Sequence, residues 1–391
     1  MSAETGEVRW VPVREVGEVR MGKQLSPASR AAAGQMPYLR VANVFEGDID
    51  YRDVNYMGFS VAEKKVYALR PGDILLNEGQ ESLANVGRSA IYDGAPGAFC
   101  FQNTLIRFRV TAEVVPGYAQ AVFVNWRRMG NFARVAEKTS ISHLGASRFA
   151  KMMFPLISAN EQLRIVEILN SLTESELVER QNIAKLRAVE DGVMSALLQR
   201  KSRFRADVDG VEYVNCGSVM EMAGGFPLGQ ADVNPSGRYP IIGSSGQAGK
   251  GNRRLTSGPT IVIGRVGEGG VGSVRFVSEP AWVTDNALWV RDFAPGWIPE
   301  FLAIYLGWFD LRKLRSQTGQ PLITQGAING VSIPRFGLAE QRRIVRVQQA
   351  WEEERRASRL HLDKLRTLRN GILDDLFSGK ARPTATPTVA A

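Results

Sequence analysis

Apolar residues along this chain follow two rhythms. In residues 155–197 and 334–376 they recur at spacings of three, four and seven, which marks one face of a helix near the heptad period. The first stripe is Ile165, Ile168, Leu172, Ile183, Leu186, Val189, Val193 and Leu197; the second is Ile344, Val347, Trp351, Leu362, Leu365, Leu368, Ile372 and Leu376. Polar text interrupts both midway, as "TESELVER" and "EEERRASR". Each stretch predicts a helix of roughly 40 residues, on the order of 60 Å at 1.5 Å per residue, bent or loosened at its polar middle or at Gly192 and Gly371. Elsewhere the apolar runs are short, β-like and punctuated by turns: "PGDILLN", "SAIYDG" and "NTLIRFRV" in residues 1–154, "YPIIG", "GPTIVIG", "SVRFV" and "ALWVRD" in residues 203–333.

The two helical stretches are copies. At a fixed offset of 179 positions, without gaps, Glu161, Gln162, Arg164, Ile165, Val166, Lys185, Leu186, Arg187 and Gly192 fall on Glu340, Gln341, Arg343, Ile344, Val345, Lys364, Leu365, Arg366 and Gly371. The globular stretches share a fainter order. Trp10, Val16 and Gly22 lie over Tyr213, Val219 and Gly225; "FQNTLI" (101–106) lies over "TDNALW" (284–289), and "EKTSISHL" (137–144) over "SQTGQPLI" (316–323). The chain therefore reads as a duplication. Residues 1–154 and 203–333 form two globular domains, 155–202 and 334–382 two helical segments, and the Pro/Thr/Ala-rich tail 383–391 is expected to be disordered. The fold class is α+β, with two globular α/β domains separated by two long helices in a pseudo-two-fold repeat. Neither helix can bury its stripe alone, and each is the other's nearest partner. A two-fold relation sets them antiparallel, as a coiled coil, with the globular domains at opposite ends of the rod.

Composition narrows the class. A chain of 391 residues, 44% hydrophobic and 23% charged, suits a globular protein with room for two or more cores. No apolar run approaches the ~20 residues that span a bilayer, and "MSAETGEVRW" is not a signal peptide, so a cytoplasmic location is expected. Cys100 and Cys216 are the only cysteines, and His143 and His361 the only histidines. Disulfide frameworks, cysteine zinc sites and most histidine-based catalysis are set aside. The net charge of +9 suits a polyanionic partner. It is spread unevenly: +4 over residues 1–154, −1 over 155–202, +1 over 203–333 and +5 over 334–391.

No catalytic constellation stands out. "GEVRMGKQ" (17–24) approaches the phosphate loop G-x-x-x-x-G-K-[ST] but ends on Gln24, without the hydroxyl that holds Mg²⁺; a turn between short strands is the better reading. Asp53 with Glu63 and Lys65 of "AEKK" imitates the D…ExK pattern of metal nucleases, a triplet common by chance in charged chains. "GRVGEGGVG" (264–272) lacks an ordered dinucleotide fingerprint, and no N-P-P-Y or D-P-P-Y methyltransferase signature occurs. What the globular domains offer are groups that read nucleic acid. In the first these are Lys23, Arg40, Asn43, Asn77, Gln80, Arg88, Thr139, Ser142, His143 and Arg148. In the second they are Lys250, Arg253, Arg254, Arg265, Gln317, Thr318, Gln320, Thr324 and Gln325. Arg and Lys suit phosphates and guanine edges, Asn and Gln adenine.

The doubled opening P-x₅-E-Q-x-x-I-V of the long helices, Pro155…Glu161-Gln162…Ile165-Val166 and Pro334…Glu340-Gln341…Ile344-Val345, resembles the conserved regions of the specificity (S) subunit of type I restriction–modification systems. The start "WVPVREVGEV", the run "GDILL" after Arg70-Pro71, and the exit "LLQRKSRF" answered by "LFSGKARP" are also similar. The resemblance covers residues 1–382 and departs at Arg335 and Phe336, where the family tends to be apolar or proline-rich. It implies two target-recognition domains, each reading half of a bipartite DNA site, asymmetric here because the domains differ. It implies helices that set the spacer and dock two methyltransferase (M) subunits, with Glu161, Gln162, Arg164, Glu340, Gln341 and Arg343 as docking candidates. Adenine methylation with S-adenosylmethionine belongs to those partners, and ATP with Mg²⁺ to motor–nuclease (R) subunits; no cofactor or metal is expected in this chain. The rival readings are a coiled-coil adaptor that binds only proteins and a cryptic metal-dependent nuclease.

Overall fold

The computed structural model describes residues 8–80, 82–138, 142–199, 212–229, 232–316, 321–378 and 380. It divides into two compact units, one of residues 1–178 with 362–391 and one of residues 179–361. Each unit therefore takes one globular domain and part of each long helix, a division that cuts across the limits read from the sequence. The expected tail 383–391, with Thr139, Gln317, Thr318 and Gln320, lies outside the described residues.

The strands and helices that build the two units follow one plan. In the first repeat they are β1 (Gly17–Met21), β2 (Gln35–Leu39), β3 (Asn55–Gly58), β4 (Ile74–Asn77), β5 (Ser89–Ile91), β6 (Cys100–Phe101), β7 (Leu105–Val110), α1 (Pro116–Arg128) and α2 (Ala159–Leu198). In the second they are β8 (Met220–Gly224), β9 (Tyr239–Gly243), β10 (Gly246–Gly251), β11 (Thr260–Gly264), β12 (Val274–Val277), β13 (Trp282–Val283), β14 (Ala287–Phe293), α3 (Pro299–Phe309) and α4 (Leu338–Ser378).

In the first unit a four-stranded sheet has the order β1-β7-β4-β5, and a three-stranded sheet the order β3-β2-β6. Within the latter, β2 runs antiparallel to β3 and parallel to β6. The strand "ILLN" of β4 is an unbroken apolar run because both its faces are covered. Ile74 and Leu76 join Ile106, Phe108, Phe123 and Phe154 in one core, and Leu75 joins Leu39, Tyr92 and Phe101 in another.

The second unit repeats this. Its sheets have the orders β8-β14-β11-β12 and β10-β9-β13, with β9 antiparallel to β10 and parallel to β13. Ile261 and Ile263 of β11 pack with Phe301 and Leu302 of α3, while Val262 packs with Ile242 and Val283. In both units a two-stranded lace leads into the long helix: Arg9–Pro12 pairs with Met153–Leu156, and Tyr213–Asn215 with Ser332–Pro334.

The faint repeat of the globular segments is a repeat of backbone geometry. Gly22 and Gly225 stand where a Cβ atom would lie 2.2 Å from Gln102 O and 2.1 Å from Thr284 O, so only glycine lets the chain cross there. The N–H groups of Gly22 and Gly225 donate to Leu105 O and Ala287 O. That equivalence corrects one match made from sequence. "FQNTLI" aligns with "TDNALW" one residue away from the position chosen for their shared asparagine, so Leu105 corresponds to Ala287 and Ile106 to Leu288. The Asn side chains drew the match, but they sit in a turn, and the ladder hydrogen bonds set the register.

Helices α2 and α4 are continuous over 40 and 41 residues, through Gly192 and Gly371. In the first unit the N-terminal part of α2 lies with the C-terminal part of α4, whose Leu376 and Phe377 pack on the domain core. In the second, Met194 and Leu198 of α2 share a core with Ile344 and Val345 of α4. The two helices thus run antiparallel within each unit. Their predicted stripe is only partly buried. Ile165 and Leu362 are buried, but Val189 and Leu368 are each 52% exposed, because two helices cover one seam. The departure at Arg335 and Phe336 is also accounted for. Arg335 pairs with Glu212 at 3.1 Å, and Phe336 is buried edge-on against Phe301. No helix among the described residues is long and apolar enough to cross a membrane.

Candidate nucleic-acid interface

In the second unit the strand pair β9–β10 brings cations together. Register places Lys250 opposite Pro240 and Gly251 opposite Tyr239, so Arg238 at one strand's start lies near Arg253 and Arg254 at the other's end. Arg238 and Arg254 lie 5.5 and 6.0 Å from the ring of Tyr239, and Arg253 lies 4.4 Å from that of Trp282. Lys250 is exposed. The acid among them is Asp232, 3.5 Å from Arg253. A guanidinium drawn to an aromatic ring keeps its charge without needing an acid, and its N–H donors suit phosphate oxygens and guanine edges. Arg238, Tyr239 and Trp282 were missed in the sequence. The signal for them was present in the hairpin register, which sets "RY" beside "NRR".

The remaining candidates of this unit are less uniform. Arg265 is half-buried at the end of β11, its carbonyl accepting from Ile323 N. Leu144 N donates to Glu78 O in the same way, so Arg265 stands where the first domain has Glu78. Thr324 caps a short helix by accepting from Ala327 N, and Gln325 donates to Met222 O. Both are tied to backbone, although exposed.

In the first unit most candidate cations meet acids. Lys23 donates to Gly58 O and pairs with Glu63 at 2.7 Å. Arg40 pairs with Asp53 at 2.8 Å, and Arg148 with Glu137 at 3.0 Å. Arg148 also donates to Leu144 O and His143 O, bracing a turn. Arg88 donates to Asn85 and lies 5.9 Å from the Phe45 ring. The ring of His143 meets Glu78 at 2.9 Å, and Ser142 is buried beside it. Gln80 pairs through its backbone with Ser142, and its side chain is not among those described.

Asn43, Asn77 and three of the docking candidates are walled in, against what the sequence suggests. Asn43 is buried and donates to Asp50 O and Asp53 O, holding a loop. Asn77 is fully buried, 3.4 Å from Val44 O. Neither can face a groove. The docking candidates Glu161, Gln162 and Gln341 are buried too. Glu161 forms a capping box with Ser158. The Gln162 amide accepts from Val115 N at 2.8 Å and donates to Glu113 O and Ile157 O at 3.0 and 2.9 Å. Gln341 does the same with Ile298 N, Gly296 O and Phe336 O at 2.8, 3.0 and 2.8 Å. Val115 and Ile298 are the N-caps of α1 and α3. The repeated glutamine is therefore a socket that fastens each long helix to its own domain. Of the other docking candidates Arg164 and Glu340 are half-buried and Arg343 is exposed.

The nuclease pattern is dispersed. Glu63 caps its helix through Ser60 N, and the Lys23 ammonium holds its carboxyl below the usual range, while Asp53 meets Arg40. Among the described residues no three His, Cys, Asp or Glu side chains are placed to hold a metal ion.

Comparison with known proteins gives a consistent picture. Residues 7–188 match the family model of the type I restriction modification DNA specificity domain. The chain is similar in structure to an S subunit of a type I restriction-modification system from M. genitalium, with 15% identity, coverage of 98% of this chain and 99% of that one, and a TM-score of 0.59. It is similar to the HsdS subunit of Thermoanaerobacter tengcongensis at 17% identity, 96% and 97% coverage and a TM-score of 0.52. A chain from a study of complex assembly and conformational transition of the type I R-M system matches at 19% identity, 96% and 98% coverage and a TM-score of 0.65. No curated protein sequence matches the chain.

Proposed function

We propose that this chain, whose residues 7–188 match the type I restriction modification DNA specificity domain, is the DNA-reading subunit of such a system and holds no catalytic centre of its own. The observation that carries the reading is a strand order used twice under unlike side chains, with carboxylate-paired Lys23, Arg40 and Arg148 in the first unit and ring-packed Arg238 and Arg254 in the second. Two matched scaffolds with unlike surfaces suit two unlike half-sites, so the target is bipartite and asymmetric. Exposed arginines position the phosphates, and base edges supply the sequence. The sockets at Gln162 and Gln341 make each domain continuous with its helix. The spacing of half-site centres, about one helical turn or roughly 34 Å, is then set by helix length.

Leu163, Leu177, Val189, Leu360 and Leu368 stay more than half exposed along the helices. They are the surface that two methyltransferase subunits would cover, in place of the buried glutamines. S-adenosylmethionine belongs to those subunits, and ATP with Mg²⁺ to motor–nuclease subunits. The assembly works in the cytoplasm, where the DNA is.

The test is to co-express the chain with the methyltransferase encoded beside it in a methylation-free host and to sequence the genome for modified bases. A bipartite, asymmetric motif methylated on adenine is expected, with one half changing when residues 203–333 are exchanged for those of a relative. Co-purification without any motif would replace the reading with a protein-only adaptor. Mg²⁺-dependent cleavage by the isolated chain, lost in Glu63→Gln, would make it a nuclease.

A further inference from the structure

The seam between the long helices buries charge at two places. In the first unit Glu176 of α2, whose side chain is 5% exposed, meets Arg369 of α4 at 3.3 Å and Arg366 at 4.0 Å. In the second Glu190 of α2, 7% exposed, meets Arg355 at 2.9 Å and accepts from Gln348 at 3.1 Å. The repeat relates the two places. At the offset of 179 positions Glu176 corresponds to Arg355, and Glu190 to Arg369. The pair Glu176–Arg369 is thus the image of the pair Arg355–Glu190, with both acids on α2 and both bases on α4.

We infer that Glu176, Glu190, Arg355 and Arg369 form a charge code that admits only the pairing of α2 with α4 and rejects like helix on like helix from a second copy of this chain. The apolar seam cannot make that choice. Ile165, Leu186 and Val193 of α2 correspond to Ile344, Leu365 and Ile372 of α4, so either helix offers nearly the same stripe. A second α2 in the same antiparallel register would set Glu176 on Glu190, and a second α4 would set Arg355 on Arg369. Each arrangement buries two like charges against each other, which is costly and in the α2 pair is offset at most by Arg187, the repeat of Arg366 with its longer 4.0 Å contact, whereas the native arrangement sets an arginine on each acid. Buried polar pairs in a helical seam are an established means of selecting partner and register. Gln348 adds a neutral donor to the Glu190 carboxylate, which leaves Arg355 as its ionic partner. The inference depends on the repeat and the helices alone, so it stands or falls separately from DNA reading.

The test uses three full-length variants: Glu176→Arg with Glu190→Arg, Arg355→Glu with Arg369→Glu, and the fourfold exchange. Each double variant should lose roughly 5–10 °C in its thermal midpoint, and the fourfold exchange should regain most of it. Co-expressed with different tags, the two double variants should capture each other while neither captures a second copy of itself. A fourfold variant that melts no higher than the doubles, or self-capture as strong as cross-capture, overturns the code. If a double variant is insoluble, a soluble fourfold variant supports the code and an insoluble one defeats it.

Discussion

In the first domain Lys23, Arg40 and Arg148 each end on a carboxylate, and Arg109 makes two contacts with buried Asp73 at 2.6 and 2.7 Å. In the second, Arg238 and Arg254 lie against Tyr239, and Arg253 lies against Trp282 with Asp232 at a looser 3.5 Å. The formal charges rank the domains the other way, +4 against +1. Counting charges therefore misjudges which surface is available to a polyanion. A cation paired with an acid contributes little net field, while a guanidinium on an aromatic ring keeps its charge and its outward donors. The two main sheets beneath share their strand order, so the difference lies in the side chains and loops they carry.

That sameness can be broken first. Gln162→Ala and Gln341→Ala each remove three hydrogen bonds and strand a buried N–H and two carbonyls, at a cost of about 3–4 kcal/mol. The two costs should agree to within about 1 kcal/mol, read as denaturant midpoints of the full chain by hydrogen exchange in each unit. A loss confined to one unit would show that the sockets are not equivalent.

Gly22→Ala and Gly225→Ala press a Cβ onto a carbonyl in each domain and should cost about 2–3 kcal/mol apiece, measured in the same way. If Gly225→Ala is silent, the backbone crossing is shared in form but not in tightness.

The domains should then part company in DNA binding. Arg238→Ala, Arg253→Ala and Arg254→Ala should each weaken binding roughly tenfold at low salt and lower the slope of log K against log salt by about one where a phosphate contact is lost. Arg40→Ala and Arg148→Ala should leave the slope almost unchanged and act on folding instead. Salt titration of the assembled complex by fluorescence anisotropy reads both.

The smallest contrast is in acid. Lys23 holds Glu63, and Arg128 holds Asp374, below the usual carboxylate range. Depressed folded values mean stability that is present at neutral pH and fades as pH falls through those values. The second unit has Asp310 alone among its described carboxylates so held, by Arg312. Peptide-resolved hydrogen exchange between neutral pH and about pH 3, below the model-peptide carboxylate values, should show the first unit loosening before the second.

Much of this was legible in the residues. The helical stripes, their repeat and the short strand runs between them gave the architecture, because periodicity follows from which face must be buried. Individual roles were harder to read. Glu161, Gln162 and Gln341 stand in the doubled motif that carries the family resemblance, which implied docking groups there; only the placement of α1 and α3 over the glutamines makes them sockets. Asn43 and Asn77 read as base-reading amides because a carboxamide suits an adenine edge, until the fold buries them. The match of "FQNTLI" to "TDNALW" slipped by one residue because side-chain likeness carries no ladder.

The sequence by itself determined the duplication, the two long helices, the two domains and the resemblance to one family, since each follows from local pattern repeated at a fixed distance. The tertiary structure alone decided which polar groups are walled in and which face solvent, which arginine meets an acid and which a ring, and that Glu176 and Glu190 face Arg369 and Arg355 across the seam. Those outcomes depend on contacts between residues far apart in the chain, and hydrophobic periodicity holds no information about which polar side chain another segment will cover.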